Sequence, residues 1–283
     1  MIFRPSLLHL LCSLLLVLGA SSCNDYTQLM KSADSDYKYE AAKQFYAEGH
    51  YNRASQLLSE LFTSFKGTDK GEESLYLLGM SSLNAGSYQA ASEYLRKYYH
   101  SYPRGLYTEE ARFHCAEALY RSTPEIKLDQ TGTYEAVTEY QNFIETFPSS
   151  RLRPTAQDKI FELQDKLVEK EYLNAKLYYD LGTYFGNCSN GGSNYQACII
   201  TAENAIKDYP YTKRREAFAI LILKAKFDLA RQSIESRKEE RYHAAIDEYY
   251  GFQNEFPESA FMPEATALYE KARQYDAKND QDQ

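Results

Sequence analysis

Five stretches of the chain are versions of one another: YNRASQLLSELFTSFK from Tyr51, YQAASEYLRKYYHSYP from Tyr88, TYEAVTEYQNFIETFP from Thr133, YQACIITAENAIKDYP from Tyr195 and YHAAIDEYYGFQNEFP from Tyr242. The fourth position of each is small: Ala54, Ala91, Ala136, Cys198 and Ala245. Eleven residues on stands an aromatic (Phe65, Tyr102, Phe147, Tyr209, Phe256), and proline follows it in four of the five blocks. Positions four and seven beyond the small residue lie along the same helical stripe: Leu58 and Leu61, Leu95 and Tyr98, Tyr140 and Phe143, Ala202 and Ala205, Tyr249 and Phe252. The small residue lets a second helix approach closely. Proline lacks an N–H and disfavours helix at the residue before it, so it stops the element. Each block therefore predicts the second helix of a helical hairpin. No run alternates as a strand would, and the fold class expected is all-α, an elongated solenoid of about five hairpins.

The twelve-residue interval from small residue to proline resembles the tetratricopeptide repeat. First helices are expected before the blocks. The endings AEGHY, NAGSY and DLGTY put Gly49, Gly86 and Gly182 where a helix ends in a left-handed residue. The aromatic columns are 37, 45, 62 and 47 residues apart, so the array is irregular. The excess length falls in RSTPEIKLDQTG (121–132), a longer helix after Pro154, the flexible turn FGNCSNGGSNY (185–195) and the charged run RQSIESRKEER (231–241).

The N-terminus carries a different signal. Arg4 precedes a mostly apolar run from Leu7 to Leu18, too short to span a bilayer, and small residues then lead into Cys23. This is similar to the lipobox of bacterial lipoproteins, in which the cysteine thiol receives a diacylglycerol and the chain is cut before it. Simple secretion is the rival reading, because Ala20 and Ser22 also suit an ordinary signal peptidase. With residues 1–22 removed, 31 bases face 40 acids, a formal charge of −9. That balance argues against a nucleic-acid partner. Beyond Cys23 the cysteines are Cys115, Cys188 and Cys198. Cys188 and Cys198 could close a short disulfide loop, but Cys198 also fits a buried helix position, the reading preferred here. His114 beside Cys115 makes a poor metal pair, since adjacent helical residues point apart. Glu72-Glu73 and Glu109-Glu110 open helices and suit the macrodipole. No metal, phosphate-binding or nucleophile motif is present in the sequence, so neither enzyme activity nor a cofactor or metal site is expected.

The order of these pieces resembles the BamD family of outer-membrane assembly lipoproteins. The strings carrying the resemblance are LDQTGTYEAVTEYQNFIETFPSSRL (128–152) and LVEKEYLNAKLYYDLGTY (167–184). It implies a non-enzymatic, lipid-anchored scaffold, periplasm-facing, of the machinery that inserts β-barrel proteins. The implied partners are a BamA-like barrel subunit, other assembly-machinery lipoproteins, unfolded β-barrel outer-membrane proteins, and the membrane through the N-terminal lipid. The alternatives are a YbgF-like periplasmic adaptor for cell-wall or division machinery, or a SusD-like glycan-binding lipoprotein. The expected organisation is a signal peptide (1–22), a flexible lipid-tethered segment (23–32), an N-terminal half (33–150), a C-terminal half (151–275) and a disordered tail (276–283).

Two sites follow on the same footing. Aligned on Gly49 and Gly182, Tyr39, Lys43 and Tyr46 match Tyr172, Lys176 and Tyr179, and Tyr76 takes a comparable place in the second repeat. Tyrosine faces and one lysine suit a substrate peptide ending in an aromatic residue with a free carboxylate. The other reading is that these tyrosines pack between hairpins. Arg231, Arg237 and Arg241, with the helix from Arg214, form the candidate docking area for the barrel subunit. The other reading there is a solvated surface loop.

Overall fold

The structure, a computed structural model, describes residues 26–184 and 193–282, with side chains through Tyr275. Cys23, Cys188 and most of GNCSNGGSN lie outside the described residues. The described elements are helical: α1 Ser35–Ala47, α2 Tyr51–Ser64, α3 Asp69–Asn84, α4 Tyr88–Ser101, α5 Thr108–Arg121, α6 Thr131–Thr146, α7 Arg153–Leu181, α8 Asn194–Asp208, α9 Arg215–Arg231, α10 Glu235–Glu255 and α11 Met262–Asp282. The five repeat blocks are α2, α4, α6, α8 and α10. In each, the aromatic column is the residue after the last helical one.

The small column and both stripe positions behind it are buried in all five blocks; Ala54, Ala91, Ala136 and Cys198 are wholly enclosed. Close approach is visible at Gly79 of α3, where a Cβ would stand 2.6 Å from Cγ of Leu95 on α4. The three expected helix-end glycines are left-handed, with φ of 79° at Gly49, 79° at Gly86 and 49° at Gly182. Gly86→Ala should therefore cost about 1–2 kcal/mol, since an L side chain in that region meets the following carbonyl. Gly251 lies inside α10 with open space around its missing Cβ. Gly251→Ala should instead stabilise by up to about 1 kcal/mol. Urea midpoints of the two variants on either side of the parent check both signs.

The chain divides into two compact units. The first runs up to Thr123 and resumes over Thr131–Ile160; the second comprises Pro124–Gln130 and everything from Phe161. In the first, each hairpin packs on the next through α1 to α6. In the second, Val168 and Ala175 of α7 bury against Tyr195, Cys198 and Ala202 of α8 and against Phe218 and Ile222 of α9. The segment 124–130 is held by its own carbonyls: Gln130 Nε2 donates to Glu125, Ile126 and Leu128, and Lys170 Nζ donates to the Lys127 carbonyl at 2.7 Å.

Three expectations change. The segment expected as a flexible tether is helical over 26–31. There Leu29 is buried with Ala42, Leu57 and Leu58, because the first hairpin needs an apolar cover on its open side. The charged run 231–241 is mostly the opening of α10, its residues from Glu235 extending the helix by intrahelical pairs such as Lys238–Glu235 at 2.9 Å. Helix α11 also carries its backbone to Asp282, into the segment expected as a tail.

Candidate functional site

In the first unit the hairpins repeat at close to the tetratricopeptide spacing, so residues about 34 apart on α1 and α3 become neighbours. Lys70 Nζ meets Asp36 Oδ1 at 2.6 Å, and the Tyr39 hydroxyl donates to Glu73 Oε2. Lys43 Nζ reaches the other oxygen of Glu73 at 3.3 Å and sits 5.1 Å from the Tyr39 ring centroid. Burial, and then the bond to Glu73, holds the Tyr39 hydroxyl above its usual range. Tyr39 is thus a packing residue between hairpins, and its placement as a groove wall is corrected. A pocket face needs exposed ring, and only 3% of Tyr39 is exposed. Lys43 keeps an open flank, but any anion reaching it competes with Glu73.

The other two tyrosines remain half-buried. Tyr76 stacks flat on Tyr107, which precedes α5, with centroids 4.3 Å apart and planes 4° from parallel. Burial raises the Tyr76 hydroxyl, with Tyr46 and then Glu110 adding to the shift, so the two tyrosines share one electrostatic neighbourhood. Burial also raises Tyr46, against a bond from Asn84 that lowers it. Tyr46, Tyr76 and Tyr107 supply hydroxyls and ring faces across α1, α3 and the start of α5. Such a surface can hold an apolar or aromatic side chain; it offers no nucleophile.

In the second unit the matching trio is used internally. The Tyr172 ring meets Phe218 at 5.5 Å and carries Arg214 at 4.9 Å. Lys176 pairs with Asp180 at 2.7 Å, and the Tyr179 hydroxyl donates to Asp228 at 2.9 Å. The three arginines of the candidate docking area are not equivalent. Arg231 pairs with Asp228 at 2.8 Å and Arg237 with Glu240 at 3.4 Å, both staying largely exposed. Arg241 instead donates to the Ser233 hydroxyl, closing the turn between α9 and α10. Ile234, between Arg231 and Arg237, is 72% exposed. Helix α9 presents mostly core, with Phe218 to Leu223 all buried.

Sequence reasoning missed what the tyrosines and acids do together. Tyr98 donates to Glu72, which also accepts the Leu106 N–H at 2.9 Å; Tyr99 donates to Glu139 and Tyr140 to Glu117. Glu72-Glu73, read as helix-opening acids, are the acceptors of Tyr98 and Tyr39. The available signal was a tyrosine in one helix and a carboxylate 23 to 40 residues away on a neighbouring one.

Cys198 is enclosed on α8, and burial pushes its thiol up to about 12; Cys115 on α5 is raised to about 12 by the same cause. Both should resist iodoacetamide at pH 8 in the folded protein and react fully in denaturant, which mass spectrometry checks. Their stabilising contribution is complete below pH 9, where the unfolded thiol is also protonated, and is lost as pH rises from about 9 to about 12. Among the described residues no group of three His, Cys, Asp or Glu could hold a metal ion, and no helix is long and apolar enough to cross a membrane.

Stacked hairpins, neutral ring surfaces and carboxylates already engaged by tyrosines define a helical repeat scaffold of tetratricopeptide type. The family model for YfiO, described as outer membrane lipoprotein, matches residues 31–226, well over half of the chain, from the segment covering α1 into α9. The chain belongs to this family of BamD-type outer membrane lipoproteins. No curated protein sequence matches. Among solved structures, crystallised TPR-like repeats named for a kinesin light chain of Podosopora anserina are similar at 15% identity, over 86% of this chain and 95% of that one, with a TM-score of 0.33. The assembly chaperone of RpL4, Acl4, is similar at 14% identity, over 88% and 99%, with a TM-score of 0.28.

Proposed function

We propose that the protein is a non-enzymatic scaffold of the outer-membrane β-barrel assembly machinery, anchored through a lipid on Cys23 and facing the periplasm. In this reading it binds a BamA-like barrel subunit and, on the first unit, unfolded barrel proteins. The observation that carries the reading is the family match over residues 31–226. The substrate surface is the ring cluster of Tyr46, Tyr76 and Tyr107, with Lys43 at its edge; Tyr39 supports it from below by fixing Glu73. A side chain ending a barrel protein would stack there, and its carboxylate would exchange with Glu73 at Lys43. The barrel-subunit contact is assigned to Ile234 flanked by Arg231 and Arg237, an exposed apolar centre with arginine rims.

Gentle detergent extraction followed by affinity isolation should recover a BamA-like barrel subunit; its reproducible absence would sink the assignment. For the peptide surface, titration with a peptide ending as a barrel protein does should show about tenfold weaker binding for Tyr46→Ala. A similar loss is expected for Lys43→Glu, with helicity unchanged by circular dichroism. Undiminished affinity in both variants places the substrate elsewhere.

A further inference from the structure

The chain between the acylated cysteine and the fold is very short. Tyr26 is three residues beyond Cys23, and three Cα–Cα steps reach at most about 11 Å. Tyr26 is also no loose end. Its hydroxyl donates to Gln56 of α2 at 2.8 Å, its ring meets Phe45 of α1 edge-on at 5.7 Å, and Arg53 lies 5.2 Å from its centroid. Leu29, one turn on, is buried in the first hairpin. A lipid on Cys23 would therefore sit within this short reach of a segment packed on the first hairpin.

We propose that the outer face of the first hairpin, made by Tyr26 and Arg53 with residues 26–31, rests on the phosphate headgroup layer of the bilayer that holds the Cys23 lipid. This rests on acylation of Cys23. The covalent reach is shorter than a protein domain is wide, so the tether keeps the surface beside Tyr26 near the headgroups and Arg53 sets how closely it lies. Its chemistry suits them. Arg53 forms no ion pair among the described residues, and its guanidinium stands over the Tyr26 and Phe45 rings at 5.2 and 5.6 Å. Lys38, nearby on α1, is by contrast paired with Glu60 at 2.9 Å. A ring body with a polar tip and an arginine without an ion pair among the described residues is the composition that settles at a membrane interface. The membrane would act as a further wall of the first hairpin, and the orientation of the first unit would be set by the tether.

The test uses the full-length lipoprotein in phosphatidylethanolamine–phosphatidylglycerol vesicles, with Cys188→Ser and a fluorophore at Asn52→Cys or, as control, Glu145→Cys. Both positions are exposed, the first on α2 and the second two hairpins away on α6. Headgroup-labelled quencher lipid should quench the Asn52 position strongly and the Glu145 position little. Fifteen Gly/Ser residues inserted between Asp25 and Tyr26 give a tether of roughly 20 Å root-mean-square length. That insertion should abolish most of the quenching at Asn52 while the protein stays with the vesicles. Arg53→Gln alone should reduce it at least twofold. Vesicle-bound protein whose Asn52 position is unquenched, or quenched equally with the longer tether, overturns the proposal. Protein whose mass lacks the acyl chains and which leaves the vesicles overturns instead the lipidation on which it rests.

Discussion

Replacing Cys23 by alanine should move the protein from the membrane fraction to the aqueous one, or leave it uncleaved with its apolar leader attached. The effect is expected to be nearly complete. Among the described residues no helix is long and apolar enough to cross a bilayer. Each buried methylene contributes about 0.8 kcal/mol; one myristoyl chain holds a protein marginally, and two or three chains hold it durably. The measurement is the distribution between membrane and soluble fractions in cells depleted of the BamA-like subunit, with intact mass to detect the acyl groups. Cys23→Ala protein that still sediments with outer membranes in those cells would mean that the anchor is something other than lipid.

The second large effect is expected in the core. Phe143 is the stripe position seven beyond Ala136, fully buried on α6, with its ring edge-on to Phe113 of α5 at 5.4 Å. It also packs against Phe147 at 5.7 Å, tilted rather than stacked. Phe143→Ala removes that contact area and leaves a cavity between two helices whose spacing Ala136 has already fixed. Losses of about 3–5 kcal/mol are usual for such a change, a large share of the stability of one unit. Phe161 on α7 is the comparison, because it is 56% exposed. Its alanine variant should stay within about 0.5 kcal/mol of the parent. Urea unfolding followed by far-ultraviolet circular dichroism measures both. Equal, small shifts would mean that the repeat stripe is not what holds α5 to α6.

The repeat arithmetic determined the helices. A small residue, an apolar stripe at four and seven, and an aromatic before proline are local facts of one helix. They place α2, α4, α6, α8 and α10 because the interval that fits a neighbouring helix is written within a single block. The left-handed glycines at 49, 86 and 182 were legible for the same reason, since only the backbone of one helix end is involved. Charge and the leader were likewise properties of the chain read in order.

What tertiary structure decided lies between hairpins. Lys43 looks free in sequence, and only the meeting of α1 with α3 gives it Glu73. Tyr39 and Tyr76 are alike as tyrosines on first helices, yet one is enclosed with its hydroxyl on Glu73 and the other stacks on Tyr107 at a partly open surface. The charged run at 231–241 could be loop or helix by composition; stacking on α9 and intrahelical pairing made it helix from Glu235. Residues 26–31 have little pattern of their own and are ordered because the first hairpin's apolar side must be covered. A stripe is set by neighbours three and four residues away. A carboxylate's partner, or the covering of an exposed end, depends on residues 30 to 40 positions off, and only the packed chain brings those together.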